Sequence, residues 1–121
     1  MKKELEQYFG CEVKIAEYKN KLPLPIFMTM RDIVMVEIYG VTFAIIDVMK
    51  ETELSVAAMK KQKAKYEEAL QCPVAYEVAI NNVSMRNALV KSGVPFVNLP
   101  GNVFLPFMGI VLQDVYRKQL V

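Results

Sequence analysis

Lys60, Lys61, Lys63 and Lys65 stand within six residues of one another. On a helix they would span about a turn and a half and fan over about half the circumference. Ammonium groups held this way can meet phosphates as point charges. Glu67 and Glu68 follow the run, and Glu67 lies four residues after Lys63, the spacing of a helical ion pair. No arginine or aromatic residue is interleaved for bidentate base readout or base stacking. A solvated helix face therefore outweighs nucleic-acid contact as the expectation for these lysines.

Nucleophilic and metal chemistry find little support in the residue types. Histidine does not occur in the sequence, so no His-based triad, His proton shuttle or His metal ligand can form within it. Serine and threonine hydroxyls therefore lack that base. The two cysteines, Cys11 and Cys72, are far apart and form no CxxC pair or zinc-ligand set. Cys72 precedes Pro73 at the expected end of a helix, where the dipole disfavours a thiolate. Two buried thiols in a reducing cytoplasm are expected. Glycine-rich phosphate loops are missing too, so no cofactor and no metal is expected. Fifteen Lys and Arg against thirteen Asp and Glu give a net charge of +2, too little for bulk attraction to nucleic acid or membrane.

The 121 residues are 54% apolar, which suits one folded domain over 1–121 and excludes disorder. Lys2 and Lys3 are followed by Glu4 and Glu6 rather than an apolar run, so the N-terminus does not look like a signal peptide. Ser92 to Gln113 carries no charge and is long enough to span a bilayer. Pro95, Pro100 and Pro106 would break such a helix repeatedly, so short strands and turns are expected there, with no membrane segment.

Leu5, Tyr8 and Phe9 give residues 2–9 a helical stripe, with Gly10 placed to close it. Cys11 to Tyr18 alternates apolar and charged residues, as an edge strand does. Asn20 to Pro25 reads as a loop. Ile33–Tyr39 and Thr42–Met49 are predicted as a hairpin around a type II′ turn at Gly40-Val41. The second of these strands is apolar on both faces apart from Thr42 and Asp47, so it should be central. Ser55 is a candidate cap for a helix over about 56–71, followed by a strand over Val74–Ile80. Asn82 can cap a helix over Val83–Ser92, with Gly93 closing it. Phe96-Val97 and Val103–Leu105 suggest two short strands, and Leu112–Leu120 a final helix. The predicted order is α-β-β-β-α-β-α-β-β-α: an α/β (α+β) chain with a mixed central sheet flanked by helices.

Apolar residues late in the chain exceed what two- or three-residue strands can hide. Phe104, Phe107 and Met108 are therefore candidates for an interface, with Phe27, Met28 and Met30 before the hairpin. Methionine is common on binding surfaces as well as in cores. The expected partners are a second copy or another protein.

The run Val94-Pro95-Phe96-Val97-Asn98-Leu99-Pro100-Gly101-Asn102-Val103-Phe104-Leu105-Pro106-Phe107-Met108-Gly109, with the segment Ala44–Gln62 and the strand Pro73–Ala79 before it, resembles a domain at the N-terminus of some MarR-type winged-helix transcriptional regulators of Gram-positive bacteria. The resemblance implies a cytoplasmic, bacterial, non-catalytic domain in transcription regulation. It would act by protein contact, with DNA reached only through another module. Such regulators carry a winged helix after this domain, and none is expected within 1–121. The core order α-β-β-β-α-β also resembles the restriction-endonuclease-like fold. Enzymes of that fold hold a divalent metal with an Asp near the second strand and a (D/E)-x-K on the third. Carried onto this chain, the positions are Asp32, Asp47 and Lys50. Lys50 is three residues after Asp47 rather than two, which on an unbroken strand points the two side chains to opposite faces. Met49 occupies the expected lysine position, so any such nuclease would be degenerate.

Overall fold

Phe43, Ala44, Ile45 and Ile46 are all at most 1% exposed, so this strand is covered on both faces. It is β3 (Val41–Asp47), inside a six-stranded open sheet of order β1-β2-β3-β4-β5-β6. The computed structural model describes residues 1–19, 24–80, 82–99 and 101–109, with Phe27 as backbone only. The expected helix Leu112–Leu120, the side chain of Phe27 and most of the Asn20–Pro25 loop lie outside the described residues.

β1 (Lys14–Glu17), β2 (Ile33–Ile38) and β3 run antiparallel. β4 (Val74–Glu77) and β5 (Phe96–Asn98) continue parallel to β3, and β6 (Asn102–Phe104) closes the row antiparallel. Parallel neighbours need a crossover. Here α3 (Val56–Leu70) joins β3 to β4, and α4 (Val83–Lys91) joins β4 to β5. α1 (Lys2–Phe9) precedes the sheet, and α2 (Ile26–Thr29) is one short turn of helix before β2. The chain is thus a mixed α+β unit with helices on both faces of a mixed sheet.

Side-chain alternation sorts the core into two layers. Ala44, Ile46, Val74, Tyr76 and Phe96 pack with Met59 and Tyr66 of α3 and Leu89 of α4. Phe43, Ile45, Ala75 and Val97 pack with Leu5 of α1 and Met108 of the 3-10 turn Pro106–Met108. Each fully buried large side chain contributes about 1.5–3 kcal/mol.

The helix starts follow their caps. Ser55 Oγ accepts from Ala58 N at 3.0 Å, and Asn82 Oδ1 accepts from Met85 N at 2.8 Å. Gly10 takes the left-handed conformation that ends α1, its N–H donating to the Glu6 carbonyl at 2.8 Å.

Several details differ from expectation, among them β4, which ends at Glu77 rather than Ile80. The hairpin register pairs Ile38 with Val41, so its turn residues are Tyr39-Gly40 rather than Gly40-Val41. Both have positive φ, 51° and 79°, the requirement of type I′ rather than II′. Tyr39 tolerates this with its hydroxyl donating to the Phe9 carbonyl at 2.8 Å. β1 is shorter than expected, because the Val13 N–H donates to Glu6 Oε2 of α1 at 3.1 Å. Ile26–Thr29, expected as part of a connecting segment, coils because the Met28 and Thr29 N–H groups both find the Pro25 carbonyl. Among the described residues no helix is long and apolar enough to cross a membrane.

Candidate functional site

β3 and β4 finish, β2 begins, and α3 and α4 start at one end of the sheet. The register Ile33–Ile46 puts Asp32 opposite Asp47, whose N–H donates to the Asp32 carbonyl at 3.0 Å. Asp47 is paired in turn with Glu77 of β4. Alternation gives all three carboxylates the α1 side of the sheet. The row has an electrostatic cost: burial, and then the charge of Asp47, push the Glu77 carboxyl above its ordinary value.

Lys50 reaches the same place by a route that strand parity does not anticipate. The strand stops at Asp47 instead of running to Met49. Asp47 Oδ1 accepts from the Met49 N–H at 2.9 Å, and the Glu51 N–H donates to the Val48 carbonyl at 3.0 Å. This side-chain-braced turn reverses the chain. Lys50 therefore lines one cavity, about 510 Å³, with Met30, Arg31, Asp32, Asp47 and Glu51. Asp47 and Lys50 thus border one cavity, and the parity rule applies only while the strand continues. Among the described residues no three Asp, Glu, Cys or His side chains are grouped to hold a metal ion.

Arg31 fixes the wall of this cavity. Its Nε and Nη2 donate to the two Glu51 carboxylate oxygens at 2.8 and 2.6 Å, and its Nη1 donates to Gln62 Oε1 and to the Tyr66 hydroxyl of α3. A planar guanidinium can engage all of these together, which an ammonium cannot. The start of β2, the β3–α3 loop and α3 are thereby locked to one another.

A second cavity, about 390 Å³, lies on the other side of Met49–Glu51. Met59, Val78 and Met85 line it between the starts of α3 and α4, with Ser55 and Asn82 at its polar margin. The two cavities share Glu51. Met30, 82% exposed, lines the first cavity and Met49, 44% exposed, lines the second, while Val83, 71% exposed, stands between Asn82 and Ser84 of the second.

The candidate interface residues do not form one patch. Met28 and Met108 are 1% and 0% exposed and belong to opposite core layers, which corrects their assignment to a surface. Phe104 is half-buried against Phe96 with ring centroids 5.8 Å apart, and Phe107 against Phe43 at 5.0 Å. The late apolar residues divide between the two faces of the sheet, Phe104 on one and Phe107 on the other, and both stay partly exposed. Among the members whose side chains are described, Met30 is the one that stands largely exposed. Met49 and Val83 escape the sequence reading. Met49 falls in the expected strand, which ends two residues before it. Val83 follows the Asn82 cap, and the first position of a helix, on the outer side, is the signal that could find it.

Lys60, Lys61 and Lys65 lie on exposed positions of α3, while Lys63 is paired with Glu67. Helical spacing sends Lys61 and Lys65 to one side and Lys60 and Lys63 to another. Cys11 and Cys72 form no disulfide and are half-buried, and burial pushes the Cys72 thiol up, against reactivity. No protein-family model, no curated protein and no solved structure matches this chain.

Proposed function

We propose that this is a non-catalytic domain of restriction-endonuclease-like fold that serves transcriptional regulation through protein contact, with a second copy, a partner protein or an attached DNA-binding module. The order α1-β1-α2-β2-β3-α3-β4, in which only the short turn α2 interrupts the expected succession, and the positions of Asp32 and Asp47 support the fold reading. One observation carries the contact reading. Met49, the residue two after Asp47 where a nuclease of this fold would keep its lysine, is 44% exposed and lines the 390 Å³ cavity, while Met30, 82% exposed, lines the neighbouring one. Exposed apolar groups at a cavity mouth suit an interface better than a hydrated metal.

A second reading is a metal-dependent nuclease, favoured by one fact: Asp32, Asp47 and Lys50 line a single cavity. Plasmid and branched DNA incubated with Mg²⁺ or Mn²⁺ separates the two. The contact reading expects DNA left intact. Cleavage that disappears in Asp47→Ala would overturn it and establish the nuclease.

A further inference from the structure

We infer that the surface formed by α3 and α4 binds the phosphate backbone of duplex DNA without reading its sequence. This goes beyond the contact reading above and does not depend on it. The net charge of +2 conceals a division of charge. α3 and α4 together carry six cations, Lys60, Lys61, Lys63, Lys65, Arg86 and Lys91, against two acids, Glu67 and Glu68. The other described residues carry six cations against ten acids. Both helices pack on the same side of the sheet, so their surplus is gathered on one surface. The row of Asp32, Asp47 and Glu77 lies towards the α1 side. Lys14 and Glu37, which share the α3 side of β1 and β2, are paired with each other at 3.8 Å. Glu51 and Glu53 are the acids in the loop before α3, and Glu51 is held by Arg31.

The residue types on this surface suit phosphate better than protein. Along α3, Ala57 and Ala64 are exposed, with Lys60 on one margin of their stripe and Lys61 and Lys65 on the other. Glu68 is the acid on this stripe and stands in its last turn. Small side chains let a nucleic-acid backbone come close, while lysines to either side meet its phosphates as point charges. Arg86 and Lys91, both exposed, extend the cations across α4. Such contacts set position on a duplex and carry no base information. A protein interface instead places apolar or aromatic anchors at its centre and is poor in lysine. The large apolar residues exposed on these two helices are Val83 and Val90, near opposite ends of α4, and α3 exposes none. A molecule basic on one side and acidic elsewhere is also turned by the field of a polyanion before contact.

The test is fluorescence anisotropy of short labelled duplexes of two unrelated sequences, with labelled poly-glutamate as a second polyanion. EDTA is present, so cleavage is measured separately. Both duplexes should bind equally at low salt. The slope of log K against log salt should lie between about −3 and −5, as for release from three to five phosphates. Lys60→Glu with Lys61→Glu, and Arg86→Glu with Lys91→Glu, should each weaken binding by about tenfold or more and flatten the slope by about 2. Lys2→Glu with Lys3→Glu makes the same change of net charge on α1 and should alter binding by less than about threefold. Circular dichroism checks that each variant is folded. Four results would overturn the proposal: no retention of either duplex at low salt, a clear preference between the two sequences, equal loss when Lys2 and Lys3 are reversed, or poly-glutamate bound as tightly as DNA. The last would point to an acidic protein surface as the partner instead.

Discussion

The two faces of the sheet are buried by different means. Under α3, large side chains carry polar ends that are matched: the Tyr76 hydroxyl donates to the Met59 carbonyl at 2.8 Å, and Tyr66 takes a hydrogen bond from Arg31. Under α1 the buried layer is apolar, from Leu5 through Phe43 to Met108, and Glu6 ties the short helix to the strand that follows. Apolar contact holds either face, but only matched polar groups fix how a helix sits along it. α3 has such fixing from the sheet and from Arg31, while α1 is held at its end by the Tyr39 hydroxyl on the Phe9 carbonyl. The row of Asp32, Asp47 and Glu77 lies towards the α1 face.

The largest effect should come from the face whose buried layer is wholly apolar. Phe43 is fully buried and packs on Phe107. Phe43→Ala should therefore cost about 3–5 kcal/mol in urea unfolding. A loss under about 1 kcal/mol would mean that the α1 layer is a loose cover and that the comparison fails. On the opposite face Arg31→Lys keeps the charge and loses the fork. It should cost about 1.5 kcal/mol and loosen the β3–α3 loop, visible as faster amide exchange at Met49–Glu51. Unchanged exchange there would show that the loop does not depend on Arg31. Tyr76→Phe removes one buried hydroxyl with almost no change of volume and should cost about 1 kcal/mol. A neutral or stabilising result would show that the polar matching adds nothing to that face.

The same contrast explains what can be seen in the sequence. β3 is legible because an apolar run without alternation can only be buried twice, and the starts of α3 and α4 because Ser55 and Asn82 cap them. These are local signals, and the order of the mixed sheet follows from them. The hairpin turn differs by one residue because Gly40 announces a positive φ without saying which neighbour shares it, and Tyr39 rarely does. Spacing alone sets Lys50 apart from Asp47, because the turn after the strand depends on a side-chain hydrogen bond that spacing does not encode. Met28 and Met108 read as surface residues because methionine suits surface and core alike. Which of the two holds is decided by elements distant in the chain.

The smallest effect tests the acidic row itself. The folded state raises the Glu77 carboxyl above its ordinary 4.5, so it binds that proton more tightly than the unfolded chain does. Any stability linked to the protonated form is present at low pH and is lost as pH rises from 4.5 through the folded value. Glu77→Gln removes the charge and its penalty. It should match the wild type below pH 4.5 and be slightly more stable at neutral pH, by a margin that solvent screening keeps below the other effects. Burial is the larger cause and the Asp47 charge the smaller, so Asp47→Asn should recover only part of that gain. Its amide oxygen can still accept from Met49 and keep the turn. A gain for Glu77→Gln that is the same at every pH would point to a packing effect. In that case the carboxylates of the row would be neighbours in sequence register without being coupled in charge.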